Sequence, residues 1–206
     1  MTEKLRRVWS YLHYRWVHAP GGGGKPVPPA ALDAEYRSGN WDHFFGPDEL
    51  VRHEVLLELI YAHSPRLSLL DLGCGSGRLA SMVSPTRLSA YLGVDISEEG
   101  LRRAQALQLP HGRFQLGDFE TWRPAEAFDV ITFNECLGYA RRPVDTAVTM
   151  ARHLNPGGVL IVSHFRWGNH RAIWRSLDQA FAVTSARIAS NTKGQTWDLK
   201  SLRLRD

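Results

Sequence analysis

Three glycines at alternate positions carry the clearest chemical signal in the chain. Gly73, Gly75 and Gly77 follow an apolar run over residues 69–72, which includes the acidic Asp71. A strand that turns sharply into a helix needs glycine where backbone approaches backbone or ligand. The first turn of the following helix offers free N–H groups to a polar ligand. The spacing therefore predicts a loop that binds a nucleotide-like molecule.

Acidic side chains end two later apolar runs. Asp95 closes the run over residues 89–95, and Asp118, followed by Phe119, closes the run that starts at Arg113. In a doubly wound sheet these positions lie at the carboxyl ends of strands, beside the ligand crevice. A carboxylate at Asp95 can accept hydrogen bonds from both ribose hydroxyls of a nucleoside. The alternative is that Asp95 only caps a helix beginning near Ser97.

Two ligands compete for the glycine loop. The dinucleotide fingerprint G-x-G-x-x-G/A requires glycine or alanine where this chain has Arg78. The observed spacing instead resembles motif I of the class I S-adenosylmethionine (SAM) dependent methyltransferases. Further motifs of that family follow in order, at residues 89–95, 113–119, 128–135 and 154–162. The whole arrangement also resembles short bacterial methyltransferases of polysaccharide and secondary-metabolite pathways.

The resemblance implies SAM as the cofactor and assigns its contacts. It implies that Asp95 meets the ribose, that Asp118 meets the adenine amino group, and that residues beside Asp118 line the ring. It also implies that Asn134 contacts the cofactor through its backbone. The implied cofactor residues are Tyr36, Trp41, Asp71, Gly73, Gly75, Gly77, Asp95, Ile96, Asp118, Phe119 and Asn134.

The implied fold is α/β, a single doubly wound Rossmann-like seven-stranded sheet with an antiparallel terminal hairpin. The hairpin strands are predicted over residues 181–191 and 195–204, on either side of a turn. The length of 206 residues predicts one domain. Residues 30–206 are expected to form it, with a lid or cap over 30–62 and a core over 67–206.

Residues 1–29 form a separate segment in this prediction. Residues 1–25 carry five basic side chains and one acidic one, whereas the rest of the chain is balanced in charge. Leu5, Val8, Trp9 and Leu12 have helical spacing, which predicts a basic aromatic helix. This helix could dock on the body, or contact an anionic membrane or a pathway partner. A glycine- and proline-rich linker is predicted to follow, with order resuming near Ala30.

The segment before the first core strand resembles a lid of the family. By that analogy Tyr36 and Trp41 cover the methionine end of SAM, and Arg52 is a further candidate for its carboxylate. The alternative is ordinary packing of Trp41, Phe44 and Phe45 beneath a helix predicted over residues 47–61.

The catalytic candidates are side chains that can take up a proton. An alcohol acceptor usually needs a base within hydrogen-bond reach during methyl transfer, whereas a neutral amine often does not. Glu135 and His164 are therefore the predicted catalytic residues, and His43 and Tyr139 are the predicted substrate contacts.

Absent motifs narrow the acceptor. The Asn/Asp-Pro-Pro-Tyr run of amino-methyltransferases is missing after the fourth strand, and Cys136 lacks the proline of pyrimidine C5 enzymes. Residues 163–170 contain no acid, so no metal is predicted. Cys74 and Cys136 have no metal-ligand spacing and are predicted to be reduced packing residues.

The resemblance to methyltransferases of polysaccharide and secondary-metabolite pathways implies O-methylation of a saccharide or small hydroxylated metabolite. The alternatives are an N-methyltransferase of a small amine, a peptide, protein or RNA methyltransferase, and a SAM-binding scaffold without turnover. The balanced charge of residues 26–206 argues against a nucleic-acid partner. Neither a signal-peptide pattern nor a membrane-spanning run is present, so a cytoplasmic location is expected.

Overall fold

The computed structural model describes residues 14–205, without the side chains of residues 15, 17 and 44. The predicted amphipathic helix of residues 5–12 lies outside this range, as does the expected packing of the Phe44 side chain. Within the described range, no helix has both the length and the apolar character that crossing a membrane requires.

Seven strands form one sheet in the order β3-β2-β1-β4-β5-β7-β6. The strands are β1 (Leu67–Leu72), β2 (Leu88–Asp95), β3 (Arg113–Leu116), β4 (Phe128–Asn134), β5 (Leu154–Phe165), β6 (Phe181–Ser190) and β7 (Thr196–Leu204). Strands β1 to β5 pair in parallel, whereas β7 pairs antiparallel with both β5 and β6. This confirms the predicted Rossmann-like sheet with its terminal hairpin. The strand order reverses between β1 and β4, the position where such sheets bind ligands.

Six α-helices lie within the described residues and cover the sheet. They are α1 (Pro29–Ser38), α2 (Pro47–His63), α3 (Arg78–Met82), α4 (Glu98–Ala106), α5 (Pro143–Ala151) and α6 (His170–Ala180). On one face, α2 and α3 pack Leu56, Ile60 and Leu79 into a buried apolar layer. On the other face, α5 and α6 pack Met150 and Leu177 into a second layer. Parallel strands that are buried on both faces consist of nearly continuous apolar residues. This burial explains the apolar runs in the sequence.

Two strand ends differ from the prediction. β3 ends at Leu116, so Asp118 and Phe119 lie in the loop that follows rather than on the strand. β5 continues to Phe165 because its last residues pair with β7, where Phe165 lies opposite Trp197.

The glycine- and proline-rich segment is packed against the body rather than forming a free linker. We refer to residues 22–29 as the strap. Asn169 Nδ2 donates to the carbonyl of Gly23 at 2.6 Å, and the amide of Lys25 donates to the carbonyl of Gly138 at 2.8 Å. Glycine allows this close backbone approach, which composition alone does not distinguish from flexibility.

Candidate active site

A cavity of about 430 Å³ opens at the carboxyl ends of β1, β2 and β4, beneath the strap and α1. Its volume is in the range of small-molecule sites. Eleven of the residues predicted for the site line it: Tyr36, Trp41, Gly73, Gly75, Asp95, Ile96, Asp118, Phe119, Asn134, Glu135 and Tyr139. Arg52, the further candidate for the SAM carboxylate, lines it as well. The structure does not bring Asp71, Gly77, His43 or His164 to the cavity wall.

The glycine loop is shaped by close neighbours. Gly73 and Gly75 have φ values of +68° and +52°, a conformation that residues with a side chain rarely adopt. A Cβ on Gly73 would lie 2.5 Å from the Cβ of Cys136, and one on Gly75 would lie 2.3 Å from the hydroxyl of Tyr36. The glycines therefore let these two side chains pack directly on the loop.

The amides of the glycine loop itself are used inside the protein. The amides of Gly73 and Cys74 donate to the carbonyl of Val94, and the amide of Gly75 donates to Asp95 Oδ2 at 2.8 Å. The helix that follows, α3, has only five residues. The amides of these three loop residues are therefore not available to a ligand in the cavity.

Asp95 is the buried carboxylate of the cavity wall. Its Oδ1 accepts from the amide of Ser97 at 2.8 Å, in addition to the bond from Gly75 to Oδ2. Burial raises the pKa of Asp95, while these backbone donors oppose the rise. The cap of α4 is Ser97, whose Oγ accepts from the amide of Gly100. Ser97 rather than Asp95 is therefore the helix cap, and Asp95 is one of the residues that line the cavity.

Asp71 joins neighbouring strands, and Gly77 permits close packing of a helix. Asp71 accepts hydrogen bonds from the hydroxyls of Thr132 and Tyr91, both at 2.8 Å, and so joins β1 to both neighbouring strands. Burial raises the pKa of Asp71 to about 6. A Cβ on Gly77 would come within 3.1 Å of Ala104 on α4, so this glycine permits close packing of α4.

A buried cation stands at one end of the cavity. Arg52 donates through Nε and Nη2 to Glu49 Oε2, at 3.0 and 2.7 Å, and through Nη1 to Asn134 Oδ1. The next residue, His53, has Nδ1 2.9 Å from the carbonyl of Glu49. Burial, followed by the charge of Arg52, lowers the pKa of His53 to about 3, so its ring is neutral. Sequence reasoning missed Glu49 and His53, and the available signal was their four-residue spacing on the predicted helix.

Glu135 lies at the end of β4 in an unusual conformation. Its φ of +61° is rare for a residue with a side chain. Its Oε1 accepts from the hydroxyl of Ser163 at 2.8 Å, and its Oε2 accepts from the amide of Phe165 at 2.8 Å. Tyr139 lies on the same wall, and partial burial, followed by the charge of Glu135, raises the pKa of its phenol. Tyr139 therefore stays protonated at neutral pH.

The two predicted histidines lie elsewhere. Successive strand residues project to opposite faces, and Ser163 points toward Glu135, so His164 points away. Its ring packs against Trp174 with centroids 6.5 Å apart, and its buried Nε2 has no hydrogen-bond partner within the described range. His43 is exposed, with Nδ1 2.7 Å from the carbonyl of Asn40.

Several wall residues were not predicted. The proline-rich part of the strap lines the cavity, although its composition predicts a linker. Arg78 lies 5.2 Å from the ring centroid of Phe45, and both line the cavity. The amide of Arg141 donates to Glu120 Oε1, while its guanidinium has no hydrogen bond or ion pair with any described residue.

The cysteines also contact the cavity. Both thiols are buried, and burial raises the pKa of Cys74 and of Cys136 well above the usual value. They are therefore neutral thiols. Between residues 14 and 205, no group of three or more His, Cys, Asp or Glu side chains is arranged to hold a metal ion. Independence of a metal stays a prediction.

The pattern that defines the methyltransferase domain family matches residues 43–205. The chain belongs to this family. With the seven-stranded fold, the match confirms the predicted class I methyltransferase and its cofactor, SAM.

Curated relatives are methyltransferases of small acids and carrier-bound acids. Trans-aconitate 2-methyltransferase of Deinococcus radiodurans is 33% identical over 107 residues, which cover 52% of this chain and 41% of that protein. Malonyl-[acyl-carrier protein] O-methyltransferase of Brevibacillus brevis is 30% identical over 146 residues, which cover 68% of this chain and 50% of that protein. This chain thus spans half or less of the length of these relatives.

A solved structure has the same fold at low identity. N-methyltransferase NodS from Bradyrhizobium japonicum WM9, in complex with S-adenosyl-L-homocysteine, superposes with a TM-score of 0.74. The identity is 20%, and the match covers 86% of this chain and 98% of that chain.

Proposed function

We propose that the protein methylates a hydroxyl of a saccharide or a small hydroxylated metabolite, with Glu135 as the general base. The observation that carries this proposal is the Glu135 carboxylate, held at the cavity wall in a left-handed backbone conformation by Ser163 and Phe165. Rare backbone conformations of this kind cluster at active sites, where the surrounding structure maintains them.

The chemistry of the cavity fits SAM. Asp95 is the acceptor for the ribose hydroxyls, and Ile96 and Phe119 provide apolar surface for the adenine. Arg52 is the buried cation for the methionine carboxylate, and Tyr36 and Trp41, with ring centroids 4.9 Å apart, cover this part of the cavity. When bound, SAM supplies a methyl group activated by its sulfonium sulfur.

The residues of the chain then position the acceptor and remove its proton. Methyl transfer is an in-line displacement, so positioning contributes much of the rate. A hydroxyl acceptor loses its proton to a Glu135 carboxylate oxygen. The protonated phenol of Tyr139 can hydrogen-bond the acceptor but is unsuited to act as the base.

A carboxylate acceptor is the second candidate. The guanidinium of Arg141 lines the cavity and makes no bond within residues 14–205, which suits recognition of an anionic acceptor. The trans-aconitate and malonyl-carrier O-methyltransferases among the relatives support this candidate. A carboxylate is already ionised at neutral pH, so its methylation needs no general base.

Substitution of Glu135 and Arg141 separates the two candidates. With labelled SAM and two acceptor panels, sugars and polyols or di- and tricarboxylic acids, we expect Glu135→Gln to lower kcat for hydroxyl acceptors about 10²-fold or more. Arg141→Gln is the matched variant and should leave hydroxyl turnover nearly unchanged. Undiminished hydroxyl methylation by Glu135→Gln would contradict the proposed base. If wild type instead methylates only the di- and tricarboxylic acids, and Arg141→Gln loses this activity, the acceptor is a carboxylate.

We propose that the acceptor is a small molecule rather than a nucleic acid or protein, because the strap and α1 cover the cavity. A cytoplasmic location and a membrane or partner contact through residues 1–25 are likewise proposed. Methylation of a macromolecule in a labelled extract would contradict the small-molecule acceptor.

A further inference from the structure

A second concave surface lies between α6 and β7, outside the cavity wall. It encloses about 650 Å³. We call it the basic groove. Its charged residues are Arg166, Arg171, Arg175, Asp178, Asp198 and Lys200. The volume is in the range of small-molecule sites.

Two of the four cations in the basic groove are neutralised within it. Arg166 Nη2 lies 2.6 Å from Asp198 Oδ1, and Lys200 Nζ lies 2.6 Å from Asp178 Oδ1. Among the described residues, Asp178 and Asp198 are the only carboxylates that line the groove, and each is paired with one of these cations.

The remaining two cations are unpaired. Arg171 and Arg175 are exposed, lie one turn apart on α6, and have no acidic partner within residues 14–205. Like charges at this spacing repel and do not stabilise a helix. The basic groove therefore has two excess positive charges with no role in the packing of α6.

Two buried polar nitrogens in the wall also have no partner. Trp174 is 6% exposed, and its Nε1 has no hydrogen bond within the described residues; the same is true of His170 Nδ1. An indole N–H can only donate, and buried donors in folded proteins are nearly always satisfied. Lys200 Nζ lies 4.6 Å from the centroid of the Trp174 ring, so the unpartnered indole and the charged residues belong to one surface.

We propose that the basic groove binds a small molecule carrying a phosphate or diphosphate group. The planar guanidinium forks of Arg171 and Arg175 match phosphate oxygens. The site is independent of the acceptor of methyl transfer, so its test does not require turnover.

Calorimetric titration of the whole chain with inorganic pyrophosphate tests this site. We expect saturable binding that the Arg171→Ala/Arg175→Ala double variant weakens at least tenfold. Both positions are exposed on α6, so the fold should be retained. The control is Arg152→Ala/Arg187→Ala, which removes the same charge from exposed positions outside the basic groove and should change affinity less than twofold.

A second variant separates a built site from general charge attraction. Arg171→Lys/Arg175→Lys keeps all charges and removes the planar guanidinium forks, so we expect pyrophosphate to bind at least threefold more weakly, with thermal unfolding measured alongside. The proposal is overturned by absence of saturable binding, by equal weakening in the control pair, or by unchanged affinity in both groove variants.

Discussion

A chain of polar side chains crosses the wall of the cavity from α2 to β5. Arg52 bridges Glu49 and Asn134, and the hydroxyl of Ser163 lies 2.9 Å from Asn134 Oδ1 and 2.8 Å from Glu135 Oε1. A hydroxyl has one proton to donate, and Asn134 Oδ1 already accepts from Arg52. Ser163 is therefore available to orient Glu135, while Arg52 holds Asn134.

Removal of the Ser163 hydroxyl tests this orientation. Because Glu135 keeps its bond from the amide of Phe165, we expect Ser163→Ala to fold and to lower kcat for the acceptor about tenfold. The affinity for S-adenosyl-L-homocysteine should stay within twofold, because Ser163 does not line the cavity. Equal losses in cofactor affinity and kcat would instead indicate a general structural role.

The buried His53 predicts a pH dependence of stability. Its pKa is about 3 in the folded protein, below the value of about 6.5 expected for an unfolded chain. The unfolded state therefore binds the proton first as pH falls. The contribution of neutral His53 to the free energy of unfolding is fully present above pH ~6.5. Below that pH it decreases by about 1.4 kcal/mol per pH unit.

The comparison with His53→Asn isolates this effect. Urea unfolding at several pH values between 7 and 5 should give a stability difference between wild type and variant that shrinks as pH falls. Asp71 titrates in the opposite sense, since its raised pKa of about 6 favours protonation of the folded state, but it is common to both proteins. A pH-independent difference would contradict a neutral buried His53.

Among the larger elements, the strap is the one whose role differs most from expectation. It connects the first described residues to α1, closes one side of the cavity, and rests on the short helix Leu137–Tyr139 and on α6. Its contact with residues 138–140 is backbone to backbone, so glycine is required at position 24, where the approach is tightest. The strap is thus a wall of the site, and its attachment should affect the ligand.

Gly24→Ala tests that attachment. Its Cβ would lie 2.0 Å from the carbonyl oxygen of Ala140 and 2.5 Å from that of Gly138, so the strap must shift. Overpacking of this kind costs about 1–3 kcal/mol, which corresponds to about 5- to 150-fold weaker binding of S-adenosyl-L-homocysteine if strap and ligand are coupled.

Gly21→Ala is the matched control for this variant. A Cβ at Gly21 meets nothing within 4 Å, so cofactor affinity and the rate of proteolysis within residues 20–29 should match wild type. Equal affinity for Gly24→Ala and Gly21→Ala would mean that the strap does not contribute to the site.

Considering the whole molecule, the sequence predicted the sheet and the strand ends that bear the site. Apolar runs and carboxylates at their ends identified the parallel strands, and Asp95 and Glu135 both line the cavity. Strand pairing determines where β5 ends and which way its last side chains point, and neither was predicted from the sequence. The antiparallel partner β7 extends β5 past His164, and alternation along that strand then directs His164 away from Glu135.

Contacts between distant segments were also hidden from the sequence. Asp71 belongs to the motif, yet its oxygens bond to side chains on two neighbouring strands and not to the cavity. The strap has the composition of a linker, and only its tertiary contacts distinguish a packed segment from a mobile one.

The proposed site and its chemistry depend most directly on cofactor binding through Asp95, which is a prediction. Calorimetric titration with SAM and with S-adenosyl-L-homocysteine, for wild type and Asp95→Ala, measures it directly, with thermal unfolding recorded to verify the fold. We predict one-to-one binding of both ligands by wild type and at least about 30-fold weaker binding by a folded Asp95→Ala variant, because hydrogen bonds to a buried carboxylate are lost. Failure of wild type to bind either ligand, or binding unaffected by the substitution, would contradict this account.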